Sequence, residues 1–116
     1  LDHRQMLQLF SEARIYLGIS LSDGISTSML EALVMGCFPL QSSSACVDEW
    51  FESGKDGIAI ASLKPSEIAS QIHEALAITA SRLQEDAWSS RERVLSKLST
   101  RDIYAKAIQF YLKDAV

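Results

Sequence analysis

Apolar residues at Met6, Leu9, Phe10 and Ala13 recur three and four apart behind Asp2, a capping residue, which predicts a helix over residues 2–13. The period then changes. Residues 14–20 are β-rich and nearly continuous in apolar character, the pattern of a strand covered on both faces. A polar turn at 20–24 precedes a second helical pattern that begins near Ser26 and carries Met29, Leu30, Ala32, Leu33, Val34 and Met35. That helix is apolar on most sides, so it belongs in the interior, and Gly36 supplies its stop.

Residues 37–41 read as a second short strand, in which Pro39 lacks a ladder donor. A small polar loop at 41–45, a short helix at 47–52 and a turn at 55–57 lead into a third strand over 57–60. Everything beyond is helical. Pro65 suits a first helical position and is followed by Ile68, Ile72, Ala75, Leu76 and Thr79. A further helix over 82–98 has Leu83, Ala87, Val94 and Leu98 in phase. The last begins at Ser99, with Asp102 as its capping-box partner and an amphipathic face of Ile103, Tyr104, Ala107, Ile108 and Tyr111.

Strands alternating with helices imply parallel strands joined by right-handed crossovers. The expected fold is therefore α/β, a Rossmann-like three-layer arrangement with a short parallel sheet of three strands and C-terminal helices. The chain divides into a β/α core at 1–62 and a helical tail at 63–116. A complete doubly wound domain has about five or six strands, so the pattern reads as the second half of one. The first residue is Leu1 rather than Met, which fits a start inside a longer protein.

Composition narrows the classes. The 116 residues carry 15 acidic and 11 basic side chains, a formal charge of −4, with 47% apolar residues. These values fit one soluble domain with a radius of gyration of roughly 13 Å. No basic stripe is available for nucleic acid. The longest apolar stretch, residues 32–40, falls far short of the ~18 residues of a membrane span, and the N-terminus is not a secretory leader. Cys37 and Cys46 make no disulfide framework, and with His3 and His73 they lack metal-ligand spacing, so we expect no metal. Both cysteines read as buried small residues, His73 as solvated, and Trp50, Trp88 and the tyrosines as packing residues. The location expected is cytoplasmic, including the inner face of a membrane.

Ligands of open α/β sheets bind outside the carboxyl ends of the strands. Beyond the first strand lie Ser22, Asp23, Gly24, Ile25, Ser26, Thr27 and Ser28, a hydroxyl-rich loop leading into a helix start. Free backbone N–H groups and the positive helix end make such a loop an anion cradle. Glu31 has a purely structural reading too, since Ser28-x-x-Glu31 matches a capping box. Asp23 before Gly24 equally suits a turn.

The segment from Ala13 to Ile60, with SDGISTSMLEALVMGCFP from Ser22 to Pro39 at its centre, resembles the donor-binding C-terminal domain of GT-B glycosyltransferases of the retaining family 4 type. Asp23 and Glu31 match the spacing of that family's paired acids, and Asp48-Glu49-Trp50, Gly54 and residues 56–60 resemble its next helix, turn and strand. The resemblance implies a nucleotide-sugar donor site. Glu31 would accept the ribose hydroxyls and Asp23 would lie near the donor sugar. Gly24, Ile25 and Ser26 would offer backbone N–H groups to sugar and phosphate, and Thr27, Ser28 and Met29 would face the diphosphate. No cofactor and no protein nucleophile are implied. The first acid is Asp where the family has Glu, and a Gly-Gly after the second strand is replaced by Ser42-Ser43-Ser44-Ala45. The first half of the C-terminal domain, its phosphate-holding basic residues and the N-terminal acceptor domain are absent from these residues, so the isolated chain is expected to be inactive and to self-associate through apolar surface left bare. The alternative class is a non-catalytic α/β interaction or oligomerisation module derived from such an enzyme.

Overall fold

The computed structural model describes residues 1–82 and 84–113. Its elements are α1 (His3–Glu12), β1 (Ile15–Gly18), α2 (Thr27–Val34), β2 (Phe38–Ser42), β3 (Ile58–Ile60), α3 (Pro65–Ser81), α4 (Gln84–Lys97) and α5 (Thr100–Leu112). The fold is the expected α/β arrangement, an open three-stranded sheet in the order β1-β2-β3 with every pairing parallel. Leu83, expected in phase on α4, lies outside the described residues.

Alternation along the strands sends side chains to two helical layers. Phe38, Leu40, Ile58 and Ile60 pack on Ala75 of α3, with Ile68, Ile72 and Ile78 partly buried around them. On the other face Met29, Leu30 and Leu33 of α2 meet Val94 of α4, together with Ala45, Val47, Trp50 and Phe51; Tyr16 and Ala59 pack against this cluster. Pro39 sits in the central strand, opposite Tyr16. It is tolerated because β3 joins β2 only from Leu40 onward, so the missing N–H falls beyond the end of that ladder.

Several local expectations are corrected. The short helix at 47–52 is instead a pair of 3-10 turns, Ser43–Ala45 and Val47–Glu49, separated by Cys46 in the left-handed region at φ 49°. Cys37 is buried as expected, but Cys46 is exposed. Trp50 is a packing residue, whereas Trp88 is half-exposed with the Arg91 guanidinium 4.9 Å from its ring centroid. The largest difference is α5. Tyr104 and Tyr111 on its amphipathic face read as packing residues in the sequence, yet all of Thr100–Leu112 is exposed, with Phe110 at 70% and Tyr111 at 77%. The radius of gyration is accordingly 16.2 Å, and the molecule extends 58 Å along its longest axis. Among the described residues no helix is long and apolar enough to cross a membrane.

Candidate functional site

In a parallel β/α unit a helix runs back against the strands it joins. The N-terminus of α2 therefore lies at the carboxyl rim of the sheet, just past the end of β1. Helix α1 feeds the opposite end of β1 through Ala13 and Arg14, so its N-terminus returns to the same rim. Two helix mouths are thus brought together by connectivity alone.

The α2 mouth is built by hydroxyls. Ser26 is the N-cap, and its Oγ accepts the Met29 N–H at 3.3 Å. The Tyr16 hydroxyl lies 3.0 Å from Ser28 Oγ and 3.4 Å from Ser26 Oγ, tying the first turn of α2 to β1. The Met29 side chain is in the core and its N–H is taken by the cap. The Thr27 and Ser28 N–H groups find no acceptor among the described residues and are the open donors of this helix end. Gly24 and Ile25 are exposed in the preceding loop, and nothing lies within 4 Å of where a Gly24 side chain would start. Asp23 is half-buried in that loop and makes no hydrogen bond among the described residues.

Because the cap is Ser26, the Ser28–Glu31 capping box does not form. Glu31 instead bonds to His3 at the start of α1, Nε2 to Oε1, at 2.7 Å. Its Oε2 has no partner among the described residues. The pair stands at the edge of a groove of about 290 Å³ between α1, α2 and α4, lined by Leu7, Leu30, Val34, Leu95 and Leu98 and by Thr27. Thr27 and Glu31, one turn apart, open on the same groove; Asp23 is not among its lining residues. The structure therefore joins Thr27 and Glu31 on one groove, turns the Ser26 and Ser28 hydroxyls toward Tyr16, and leaves Asp23 among none of these contacts.

A second hydroxyl cluster closes the rim further along. Ser42 Oγ accepts the Ser20 N–H at 2.9 Å and meets Ser20 Oγ at 3.0 Å, while Ser44 Oγ donates to the Ser20 carbonyl at 2.9 Å. A notch of about 160 Å³ lies between these serines and Ile60, Ala61 and Leu63. Gln41, next in the strand, is buried, donating to Ser42 Oγ at 3.3 Å, and its Oε1 has no partner among the described residues. Gln41 lies over Gly18, its register partner, where a Cβ would stand 2.0 Å from Oε1.

His3 and Gln41 are the polar residues that sequence reasoning passed over. No spacing marks His3, which is 28 residues from its partner. The signal was topological, since Asp2 as N-cap puts His3 in the first turn of a helix that must begin at the carboxyl rim. The Ser42-Ser43-Ser44 run stood out in the sequence only as a departure from Gly-Gly.

A family model described as glycosyl transferase-like matches residues 1–109. No curated protein matches the chain.

Proposed function

The chain belongs to the glycosyl transferase-like family, and on that premise we propose that it is the donor-binding part of a retaining hexosyltransferase of the GT-B, family 4 type. The donor is a nucleotide diphosphate sugar and the acceptor a glycan, lipid or small molecule. The observation that carries this reading is the α2 mouth, where two unused N–H groups lie one turn from a half-exposed carboxylate. The N–H groups of Thr27 and Ser28 and the positive end of the helix suit a diphosphate leaving group, stabilising the charge that develops as the glycosidic bond breaks. Glu31 Oε2 accepts the ribose hydroxyls, a carboxylate having lone pairs enough for two vicinal donors while it keeps His3. Gly24 and Ile25 leave backbone open to the sugar, and Asp23, half-buried in the same loop, is assigned to the donor sugar. Transfer with retention then needs no protein nucleophile and no cofactor. The remaining parts of the donor and acceptor domains are contributed from outside these residues, and the work is done in the cytoplasm or at the inner face of a membrane.

The test is calorimetric binding of UDP, GDP and ADP to the protein and to its Glu31→Ala variant. The variant is expected to bind about tenfold more weakly or worse. Equal affinity removes the ribose role of Glu31. The bare apolar face of α5, with Ile103, Tyr104, Ile108 and Phe110 exposed, favours a second reading, a non-catalytic interaction module. A tight dimer on sizing chromatography, with no nucleotide affinity and no donor hydrolysis, selects that reading instead.

A further inference from the structure

We propose that His3 is a positioning residue for donor recognition: its imidazole holds one oxygen of the Glu31 carboxylate so that the other is presented to the ribose hydroxyls of a nucleoside diphosphate. The proposal rests on the reading of Glu31 as the ribose acceptor.

The contact joins two helices that share no sequence neighbourhood. His3 Nε2 lies 2.7 Å from Glu31 Oε1, with the His3 side chain 69% exposed and that of Glu31 29% exposed. A carboxylate oxygen only accepts, so Nε2 carries the proton in this bond, and it does so in the neutral Nε2–H tautomer as well as in the charged ring. The bond therefore survives loss of the imidazole charge. One bond also leaves most of the carboxylate's acceptor capacity free, and Oε2 has no other partner among the described residues.

What the bond changes is freedom. A half-exposed glutamate otherwise samples several rotamers, and a ligand that needs one of them must bear the cost of fixing it. The wall beside Glu31 is apolar, formed by Leu30, Val34, Leu95 and Leu98, and none of these side chains can hold a carboxylate. His3 is the polar group that reaches it. As an exposed pair the contact contributes little to folding, so its removal alters the aim of Glu31 far more than the stability of the domain.

The experiment compares ribonucleoside and 2′,3′-dideoxynucleoside diphosphates of the base that binds tightest, by titration calorimetry on the wild-type protein and on His3→Ala, His3→Gln and Glu31→Gln. The wild type is expected to prefer the ribonucleotide by about tenfold. His3→Ala is expected to cut that preference by about threefold or more, with the dideoxy affinity unchanged, and His3→Gln, which keeps a donor, to restore part of it. An unaltered preference in His3→Ala overturns the proposal, as does an equal loss for both ligands, which is the mark of a merely structural contact. If Glu31→Gln has meanwhile lost the preference, the ribose reading stands without His3. A preference that survives Glu31→Gln, or a wild type that binds no nucleotide, overturns the ribose reading and this inference with it.

Discussion

Asp56 and Arg93 meet across 37 residues of sequence, Oδ2 to Nη1, at 2.5 Å. The other Asp56 oxygen accepts the Glu52 N–H at 2.6 Å. One carboxylate thus fixes both the turn before β3 and the position of α4. The Asp56 side chain is only 8% exposed, against 37% for Arg93, so the two partners are not equivalent when one is removed. Asp56→Ala strands the Glu52 N–H and removes this tie to α4, and is expected to cost about 2–3 kcal/mol in urea unfolding. Arg93→Met leaves a buried carboxylate that still has one donor, and should also destabilise. A loss below about 0.5 kcal/mol in Asp56→Ala contradicts this account.

Glycine 57 is required for steric reasons. A Cβ there would stand 2.4 Å from Cδ2 of the buried Phe51 ring, which cannot swing aside. Gly57→Ala should therefore lower stability by about 1–3 kcal/mol. Gly24→Ala, where nothing lies within 4 Å, is the control and should leave the melting temperature in place.

Which serine starts α2 can be measured. Ser26→Ala removes the cap on the Met29 N–H and should cost about 1 kcal/mol. Ser28→Ala loses a hydroxyl contact to Tyr16 on the exposed side and should cost less. The reverse order would restore the capping box that the sequence pattern proposed.

The two thiols should separate cleanly. Burial pushes the Cys37 thiol up to about 11, partly offset by the nearby Arg82 charge, and its Sγ donates to the Phe10 carbonyl at 3.0 Å. Cys46 is exposed. Iodoacetamide at pH 8 is expected to label Cys46 alone in the folded protein, and both thiols in denaturant, as read by peptide mass. In the unfolded chain Cys37 returns to its ordinary value of 9.0. Between about pH 9 and 11 the unfolded state alone sheds that proton, so the stabilisation by neutral Cys37 is complete below pH 9 and is lost as pH rises. Cys37→Ala should flatten the alkaline limb of a stability–pH curve.

The layers were legible because periodicity reports burial. Residues 14–20 run nearly continuous in apolar character, as a strand covered on both faces does, and Met29, Leu30 and Leu33 repeat as a buried helix does, so β1, β2, α2 and α3 lie near their expected places. Pro65 and Ser99 marked helix starts by local chemistry. What periodicity does not carry is contact between distant elements. Ser26 rather than Ser28 is the cap, with the Tyr16 hydroxyl against both, and Glu31 is bonded to His3 from another helix. The same limit explains α5. Ile103, Tyr104 and Ile108 repeat as a core-facing stripe would, but a stripe states only that a face is apolar, not that a surface waits for it.

Helix α5 is exposed along its whole length, Thr100 to Leu112. Thirteen residues in water sit close to the balance between helix and coil, so the end of this chain is energetically detached from the rest. Its amide protons should exchange with solvent orders of magnitude faster than those of β2. The strands and the helix mouths at their rim thus form one cooperative unit, and α5 can melt, refold or be reshaped by contact without disturbing the residues that would hold a ligand.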